Sequence, residues 1–201
     1  MKRLDANQIA TLLRNAYPDH SDLFDSVGTL VRLEKRNIPV PEAVVRVVTG
    51  QMLSTAVART IYGRVQECSY TKTNGKSWLL SYDDLRKCGL SNGKCKTITE
   101  FSLKYEEDKE PIDNWVHLTK EDLFRQVGAF WGMSTWTASI LGLFYFANED
   151  IFPMQDGTIR KAISILSEKN GMPPIDPEKV RRYRSYLALA LWKAVDDGAL
   201  F

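Results

Sequence analysis

The sequence has few of the residues that build metal sites and disulfide frameworks. Its 201 residues include three cysteines and two histidines. The cysteines form no Cys-x-x-Cys pair, and so few ligands do not suffice for a zinc site of the usual kind. An odd number of thiols also argues against a scaffold held by disulfides. We therefore expect no cofactor and no metal site built from these residue types.

Long apolar runs and a large net charge are also absent. No apolar stretch approaches the roughly 18 residues that a membrane-spanning helix needs. The first residues, Met1 to Asp5, lack the apolar segment of a secretory signal. The net charge is only +2, and 44% of the residues are hydrophobic, which is an ordinary globular composition. We expect no membrane association and a cytoplasmic location.

The charges are unevenly distributed along the chain. Residues 86–96 carry four basic residues and no acid, and residues 159–193 carry eight basic residues against three acidic ones. Residues 100–122 have the opposite balance, with eight acids against three bases. A basic face of this kind can bind a polyanion, but a solvated helix face explains each run equally well.

The hydrophobic periodicity predicts an all-α fold. Apolar residues recur at helical spacing behind capping residues, among them Asp5, Ser54, Ser81 and Thr119. Segment 135–146 is apolar on nearly all sides, which is typical of a helix buried in a core. No segment is firmly predicted to be a strand.

A glycine-containing turn joins two predicted helices in the second half of the chain. The first helix ends near Gly128, and the second begins at Thr135. Such a turn exposes backbone N–H groups at the positive end of the second helix, where phosphate binds well. It can hold a DNA backbone without reading the base sequence. An ordinary connection between two helices is the alternative.

A carboxylate stands at the start of another predicted helix, because Asp156 directly precedes Gly157. At a helix N-terminus a carboxylate is held ionised and is fixed in direction. It can then stabilise positive charge on a sugar ring or orient an attacking water molecule. A simple capping role for Asp156 is the alternative.

Five segments, in this order, resemble the helix-hairpin-helix base-excision DNA glycosylases, and most closely the 3-methyladenine DNA glycosylase II branch. Residues 47–54 (VVTGQMLS) are similar to the loop that the family pushes into the duplex. Residues 85–94 resemble the segment that follows it, and residues 132–138 (GMSTWTA) resemble the hairpin. Residues 152–160 (FPMQDGTIR) look like the loop with the catalytic aspartate, and residues 184–192 (RSYLALALW) look like the last helix.

The resemblance implies a monofunctional DNA glycosylase that hydrolyses the N-glycosidic bond of alkylated bases flipped out of duplex DNA. Asp156 would stabilise the oxocarbenium-like sugar, and Trp136 and Trp192 would line the pocket of a cationic base. Gln51 and Met52 would fill the space that the base leaves in the duplex. Bifunctional relatives carry a lysine nucleophile at the position of Trp136, so we expect no lyase activity.

The resemblance also implies how the hairpin holds DNA. Gly132, Ser134 and Thr137 would offer backbone amides to a phosphate, and hairpin carbonyls could hold a monovalent cation. Ser134 stands where the family usually has a second glycine, and a positive φ would cost serine about 1 kcal/mol. The proline that usually precedes the first glycine is also replaced, and Trp131 stands before Gly132.

For the whole chain, we expect two helical lobes with the active site in the cleft between them. One lobe would comprise residues 41–142, and the other would join residues 1–40 to residues 143–201. The expected partner is double-stranded DNA, the expected oligomeric state is a monomer, and in a eukaryote the location would be nuclear.

Three alternatives to this function remain open. The protein could be a glycosylase for uracil or mismatched bases, since the shape of the base pocket decides the substrate. It could be a non-catalytic helix-hairpin-helix DNA-binding module. It could also be a helical protein-interaction domain with a coincidental glycine turn, and a lack of duplex binding would favour that interpretation.

Overall fold

The computed structural model describes residues 4–169 and 173–200 of the chain. Every regular element in these ranges is helical and none is a strand, so the predicted all-α fold is confirmed. The α-helices are α1 (Ala6–Ala16), α2 (Ser21–Val27), α3 (Val40–Gly50), α4 (Thr55–Lys72), α5 (Tyr82–Cys88), α6 (Asn92–Glu107), α7 (Glu110–Asp113), α8 (Lys120–Gly128), α9 (Thr135–Phe144), α10 (Gly157–Lys169) and α11 (Arg184–Asp196). Short 3₁₀ turns lie at Pro18–His20, Ser77–Leu79, Asn114–His117 and Pro177–Val180. No helix in the described ranges is long and apolar enough to cross a membrane.

Side-chain caps begin several helices where the sequence predicts them. Asp5, Ser54, Ser81 and Thr119 each accept a hydrogen bond from a backbone amide in the first turn of the following helix. Gly89 ends α5 in the left-handed region, with φ of 105°. A cap of this kind stabilises a helix by about 1 kcal/mol, so local chemistry sets these boundaries.

The structure differs from the sequence prediction in two segments. The helical spacing of Leu23, Val27 and Val31 predicts one helix over this stretch, but α2 ends at Val27 because Gly28 adopts φ of 66°, and residues 28–39 contain no helix. Val31, which the helical spacing places on the inward face, is 82% exposed. The run of acidic residues at 106–114 is typical of a surface loop, but the segment contains the end of α6 and the short helix α7.

The chain divides into two compact units. The central unit comprises Lys35–Phe146, and the terminal unit joins Met1–Glu34 to Ala147–Phe201. The lobe bounds predicted from the sequence, at residues 41 and 142, lie a few positions inside those of the central unit. Each unit has its own helices and its own buried residues.

In the central unit, α3 is the helix around which the others pack. It contacts α4, α6 and α9, and Val44, Val45 and Val48 are completely buried on it. Next to this core, Phe130 packs edge-on against Phe101 and Trp115, with ring centroids 5.2 Å and 5.6 Å apart. These aromatic contacts fix the chain just before α9 begins.

In the terminal unit, α11 is the buried helix. It packs against α2 and α10, and its residues Tyr186, Leu187 and Leu191 have no solvent exposure. Its first turn also faces the loop that leads from α9 toward α10. The position of that loop is therefore set by the start of a helix more than thirty positions further along the chain.

Candidate functional site

The turn between α8 and α9, residues 129–134, is the predicted hairpin, and we call it the hairpin turn. Gly132 has φ of 74° in this turn. A Cβ atom at Gly132 would lie 2.0 Å from the Oγ1 atom of Thr97, which belongs to α6. Both the backbone conformation and the close approach of Thr97 therefore require glycine at this position.

Ser134 does not share the left-handed conformation of Gly132. Its φ of −120° and ψ of 178° are those of extended backbone, so serine is not strained there. Its N–H donates to the Oγ1 atom of Thr137 at 3.3 Å, and the two residues are arranged as a capping box at the start of α9. Serine is one of the preferred residues for this capping position.

The three residues predicted to bind phosphate differ in their exposure. Gly132 and Ser134 are exposed, whereas Thr137 is completely buried. Thr137 acts inside the turn, where its hydroxyl oxygen accepts the Ser134 amide. By helix geometry, the first amides of α9 have no acceptor within the helix and lie at its positive end. Trp136, the predicted base-pocket residue of this unit, is partly exposed in the same first turn.

Met52 lies in the loop between α3 and α4, residues 51–54, which we call the wedge loop. It is fully exposed, and its φ of 56° is in the left-handed region. That conformation costs a residue other than glycine about 1–2 kcal/mol. An apolar side chain held out in a strained conformation is typical of a functional position rather than of core packing.

Gln51 lies beside Met52 in the wedge loop but contacts the hairpin turn. Its Nε2 atom donates to the backbone oxygen of Gly132 at 3.1 Å and to Thr137 Oγ1 at 3.1 Å. Of the two residues predicted to enter the duplex, Met52 is exposed to solvent, whereas Gln51 is hydrogen-bonded to the hairpin turn. No local pattern signals this link, because the two segments are 81 positions apart.

Lys94 is hydrogen-bonded to the end of α3, just before the wedge loop. Its Nζ atom donates to the backbone oxygen of Thr49 at 2.8 Å, and burial lowers the pKa of its ammonium group. Thr49 lies in the last turn of α3, where carbonyls have no partner within the helix and the dipole favours a cation. The sequence indicates Lys94 only as part of the segment that resembles the family.

Asp156 caps α10 in the terminal unit. Its Oδ1 atom accepts from the amides of Thr158 and Ile159 at 2.9 Å and 3.0 Å. The same oxygen accepts from the indole Nε1 of Trp192 at 3.0 Å. Three donors on one oxygen fix the direction of the carboxylate. Capping accounts for the two amides, but the contact with Trp192 is additional to it.

Trp192 is partly buried on α11, 36 positions after Asp156. The sequence predicts both residues for the site, one as the carboxylate and one as a wall of the base pocket. The structure brings these two together directly, through the indole N–H. The ring of Trp192 is thereby fixed relative to the carboxylate.

The first turn of α11 also holds the loop that leads to Asp156. Arg184 donates to both carboxylate oxygens of Asp150, at 2.7 Å and 2.9 Å. Ser185 is completely buried, and its hydroxyl donates to the Asn148 oxygen at 2.7 Å and accepts from the Ile151 amide at 2.9 Å. These contacts give the Arg-Ser pair of the family-like last helix a structural role that the sequence alone does not reveal.

Metal-ligating side chains are not clustered in the described ranges, where no group of three or more His, Cys, Asp or Glu residues could hold a metal ion. All three cysteines are free thiols. Burial raises the pKa of the Cys88 thiol to about 11, so this group is unsuited to act as a thiolate nucleophile. The monovalent cation at the hairpin carbonyls stays a prediction.

The helices are arranged as in solved structures of DNA glycosylases, which is a likeness in fold. The 3-methyladenine DNA glycosylase of Schizosaccharomyces pombe, solved in complex with abasic DNA, matches this chain with a TM-score of 0.76. The match covers 94% of this chain and 96% of that chain, at 22% sequence identity. The fold class predicted from the sequence is therefore confirmed in its architecture as well as in its helix content.

Two sequence relatives carry the name of the predicted branch. DNA-3-methyladenine glycosylase 1 of S. pombe is 25% identical over 167 residues, which cover 76% of this chain and 71% of the relative. The Bacillus subtilis protein YfjP, provisionally named a DNA-3-methyladenine glycosylase, is 24% identical over 122 residues. That match covers 58% of this chain and spans 42% of the relative's length. No family model matches the chain. The resemblance to 3-methyladenine DNA glycosylases is confirmed by these homologues.

Proposed function

We propose that the protein is a monofunctional DNA glycosylase that releases alkylated bases of the 3-methyladenine type from duplex DNA, in base excision repair. The observation that carries this proposal is the Asp156 carboxylate, held in one direction by two amides of α10 and by the indole of Trp192. The names of the sequence relatives support the substrate class. The protein acts wherever its DNA is, in the cytoplasm or in the nucleus of a eukaryote.

The chemistry needs little from the protein, because an alkylated purine is already cationic. The bond between C1′ and the base nitrogen breaks, both electrons leave with the base, and the sugar becomes oxocarbenium-like. The fixed charge of Asp156 stabilises that cation where it develops. A water molecule then adds its oxygen to C1′, and its proton passes to the carboxylate or to solvent.

Base recognition uses the two partly exposed indoles. A cationic base is attracted to the face of Trp136 or Trp192 by roughly 0.5–2 kcal/mol, and a neutral base is not attracted in this way. Trp192 therefore serves two purposes, since its N–H orients Asp156 and its ring receives the base. With tryptophan at position 136, there is no lysine at the position of the bifunctional nucleophile, so the reaction ends at the abasic site.

Duplex opening is assigned to the central unit. Flipping a base out costs a few kcal/mol, and an apolar side chain that fills the vacated space offsets part of this cost. Met52 is suited to this role because it is fully exposed, unbranched and flexible. Gln51 keeps the wedge loop in register with the hairpin turn, whose exposed residues and first α9 amides bind the phosphate.

The experiment that tests the proposal is base release from methylated duplex DNA by the wild type and by Asp156→Asn. We expect the wild type to release 3-methyladenine or 7-methylguanine. Asp156→Asn should bind the duplex but release no base, because binding rests on the central unit. Asp176→Asn is the matched control, since Asp176 also caps a turn in the terminal unit and should keep wild-type activity.

Three outcomes would contradict the proposal in different ways. Release by Asp156→Asn at the wild-type rate would remove the carboxylate from the mechanism. Release of uracil or mispaired bases, but not of methylated ones, would identify a glycosylase of other specificity. Duplex binding without release of any base would favour a non-catalytic DNA-binding module.

A further inference from the structure

Trp131 leaves about half of its surface in solvent at the hairpin turn, with a relative exposure of 51%. Its neighbour Phe130 fills the core instead, packed against Phe101 and Trp115. A single exposed apolar side chain is common in proteins, so its surroundings must decide whether it has a role.

The Trp131 ring is held in place by the start of α6. Its Cη2 atom lies over Gly93, 3.9 Å from the position that a Cβ atom there would occupy. The Nζ atom of Lys96 lies over the ring, 4.3 Å from its centroid. This cation–π contact orders both side chains before any ligand is present. Ordered side chains lose less conformational entropy when they bind, so the pair is prepared for a contact.

Lys96 keeps its charge at the surface. Its side chain is 49% exposed, and its ion-pair partner Glu100 lies 3.7 Å away in a similarly exposed position. Exposed pairs of this kind contribute little to stability, so a phosphate can replace Glu100 at low cost. Segment 86–96, which leads into α6, carries four basic residues and no acid, and its charge is complementary to a DNA backbone.

We propose that Trp131 and Lys96 form a second contact with duplex DNA beside the hairpin turn. The exposed indole packs against a deoxyribose of the strand whose phosphate the first α9 amides bind, and the Lys96 ammonium pairs with the neighbouring phosphate. The inference rests on the proposed function and deepens it by naming a further binding surface. The contact depends on the residue before Gly132, where this chain has tryptophan in place of the family's usual proline.

The test measures binding of the full chain to a duplex that carries an uncleavable abasic-site analogue, over a series of potassium chloride concentrations. Trp131→Ala should raise Kd about fivefold to tenfold and leave the salt dependence unchanged, because it removes an uncharged contact. Lys96→Met should raise Kd and reduce the slope of log Kd against log salt by about one, because it removes one phosphate contact. Lys104→Met is the matched control. Lys104 is also on α6, and its Nζ atom also lies over an aromatic ring, 5.4 Å from the Phe130 centroid.

A fluorescence measurement separates a DNA contact from a structural role. Trp131→Phe keeps an aromatic ring, so it should retain most of the affinity but lose the part of the DNA-induced fluorescence change that Trp131 contributes. Wild-type Kd and salt slope in Trp131→Ala and Lys96→Met, with base release intact in the wild type, would overturn this inference and leave the proposed function standing. A wild type that neither binds duplex nor releases bases would overturn both. If Trp131→Ala does not fold, Trp131→Phe and Lys96→Met decide the question.

Discussion

Gly132 is tightly constrained because two independent requirements meet at one residue. Its φ of 74° disfavours any side chain, and Thr97 fills the space that a Cβ atom would need. Ser134, two positions later, is under neither constraint, because it adopts extended backbone and caps α9. At the residue scale, therefore, one glycine of the hairpin is a steric necessity, and serine at the second position is chemically suitable.

Gly132→Ala tests this difference. We expect the free energy of unfolding to fall by about 2–4 kcal/mol, since the left-handed backbone and the overlap with Thr97 both oppose the new methyl group. Urea unfolding measures the change. Gly128→Ala serves as the control, because nothing lies within 4 Å of a Cβ atom at that position. An equal loss of stability in both variants would contradict a specific constraint at Gly132.

The wedge loop is the element whose position depends most on other elements. It follows α3, which Lys94 of α6 contacts through the carbonyl of Thr49. It also contacts the hairpin turn through Gln51. A loop with hydrogen bonds on both sides keeps its exposed residue in one place, which is the preorganisation that the proposed insertion of Met52 into DNA requires.

Lys94→Met tests the hydrogen bond between Lys94 and the Thr49 carbonyl of α3. The variant keeps the apolar stem of the side chain but leaves the buried Thr49 carbonyl without its donor, which costs about 1–3 kcal/mol. We expect faster hydrogen exchange of the amides in residues 51–54 and slower base release. Lys104→Met, on the exposed surface of α6, is the control and should change neither property. Wild-type exchange in the Lys94 variant would show that the wedge loop is held without this contact.

At the scale of the whole molecule, the proposed function assigns different tasks to the two units. In that proposal the hairpin turn and Met52 of the central unit would act on the duplex, and Asp156 and Trp192 of the terminal unit would act on the sugar and base. Opening the duplex and breaking the bond are therefore separable by substitution. The cost of opening depends on how well the target base is paired, whereas the cost of bond breaking does not.

Met52→Ala tests this division of tasks. Base release should slow most for a methylated base in a normal pair and least for the same base opposite a mismatch, because a mispaired base is already easier to expel. Asp156→Asn should lose activity on both substrates alike. Val31→Ala, another exposed apolar residue, is the control and should have no effect. An equal slowing of Met52→Ala on the two substrates would argue against a role in opening the duplex.

Features that depend on neighbours within one or two helical turns could be predicted from the sequence. Helical spacing and the capping residues predicted the all-α fold and most helix starts, and the position of Asp156 before α10 followed from the same signals. The prediction of a helix after Val27 is wrong. The apolar spacing continues past Gly28, but the helical backbone ends at Val27.

The meeting of distant groups, in contrast, depends on how the helices pack. The contacts of Gln51 with the hairpin turn, of Lys94 with α3 and of Trp192 with Asp156 each join residues separated by more than thirty positions. Local hydrophobic periodicity predicts which face of a helix is buried, but it does not predict which distant residues that face contacts. Packing also decided that Gly132 must approach Thr97 and that the Trp131 ring remains partly in solvent, because the space available to each side chain is set by elements that the local sequence does not contain.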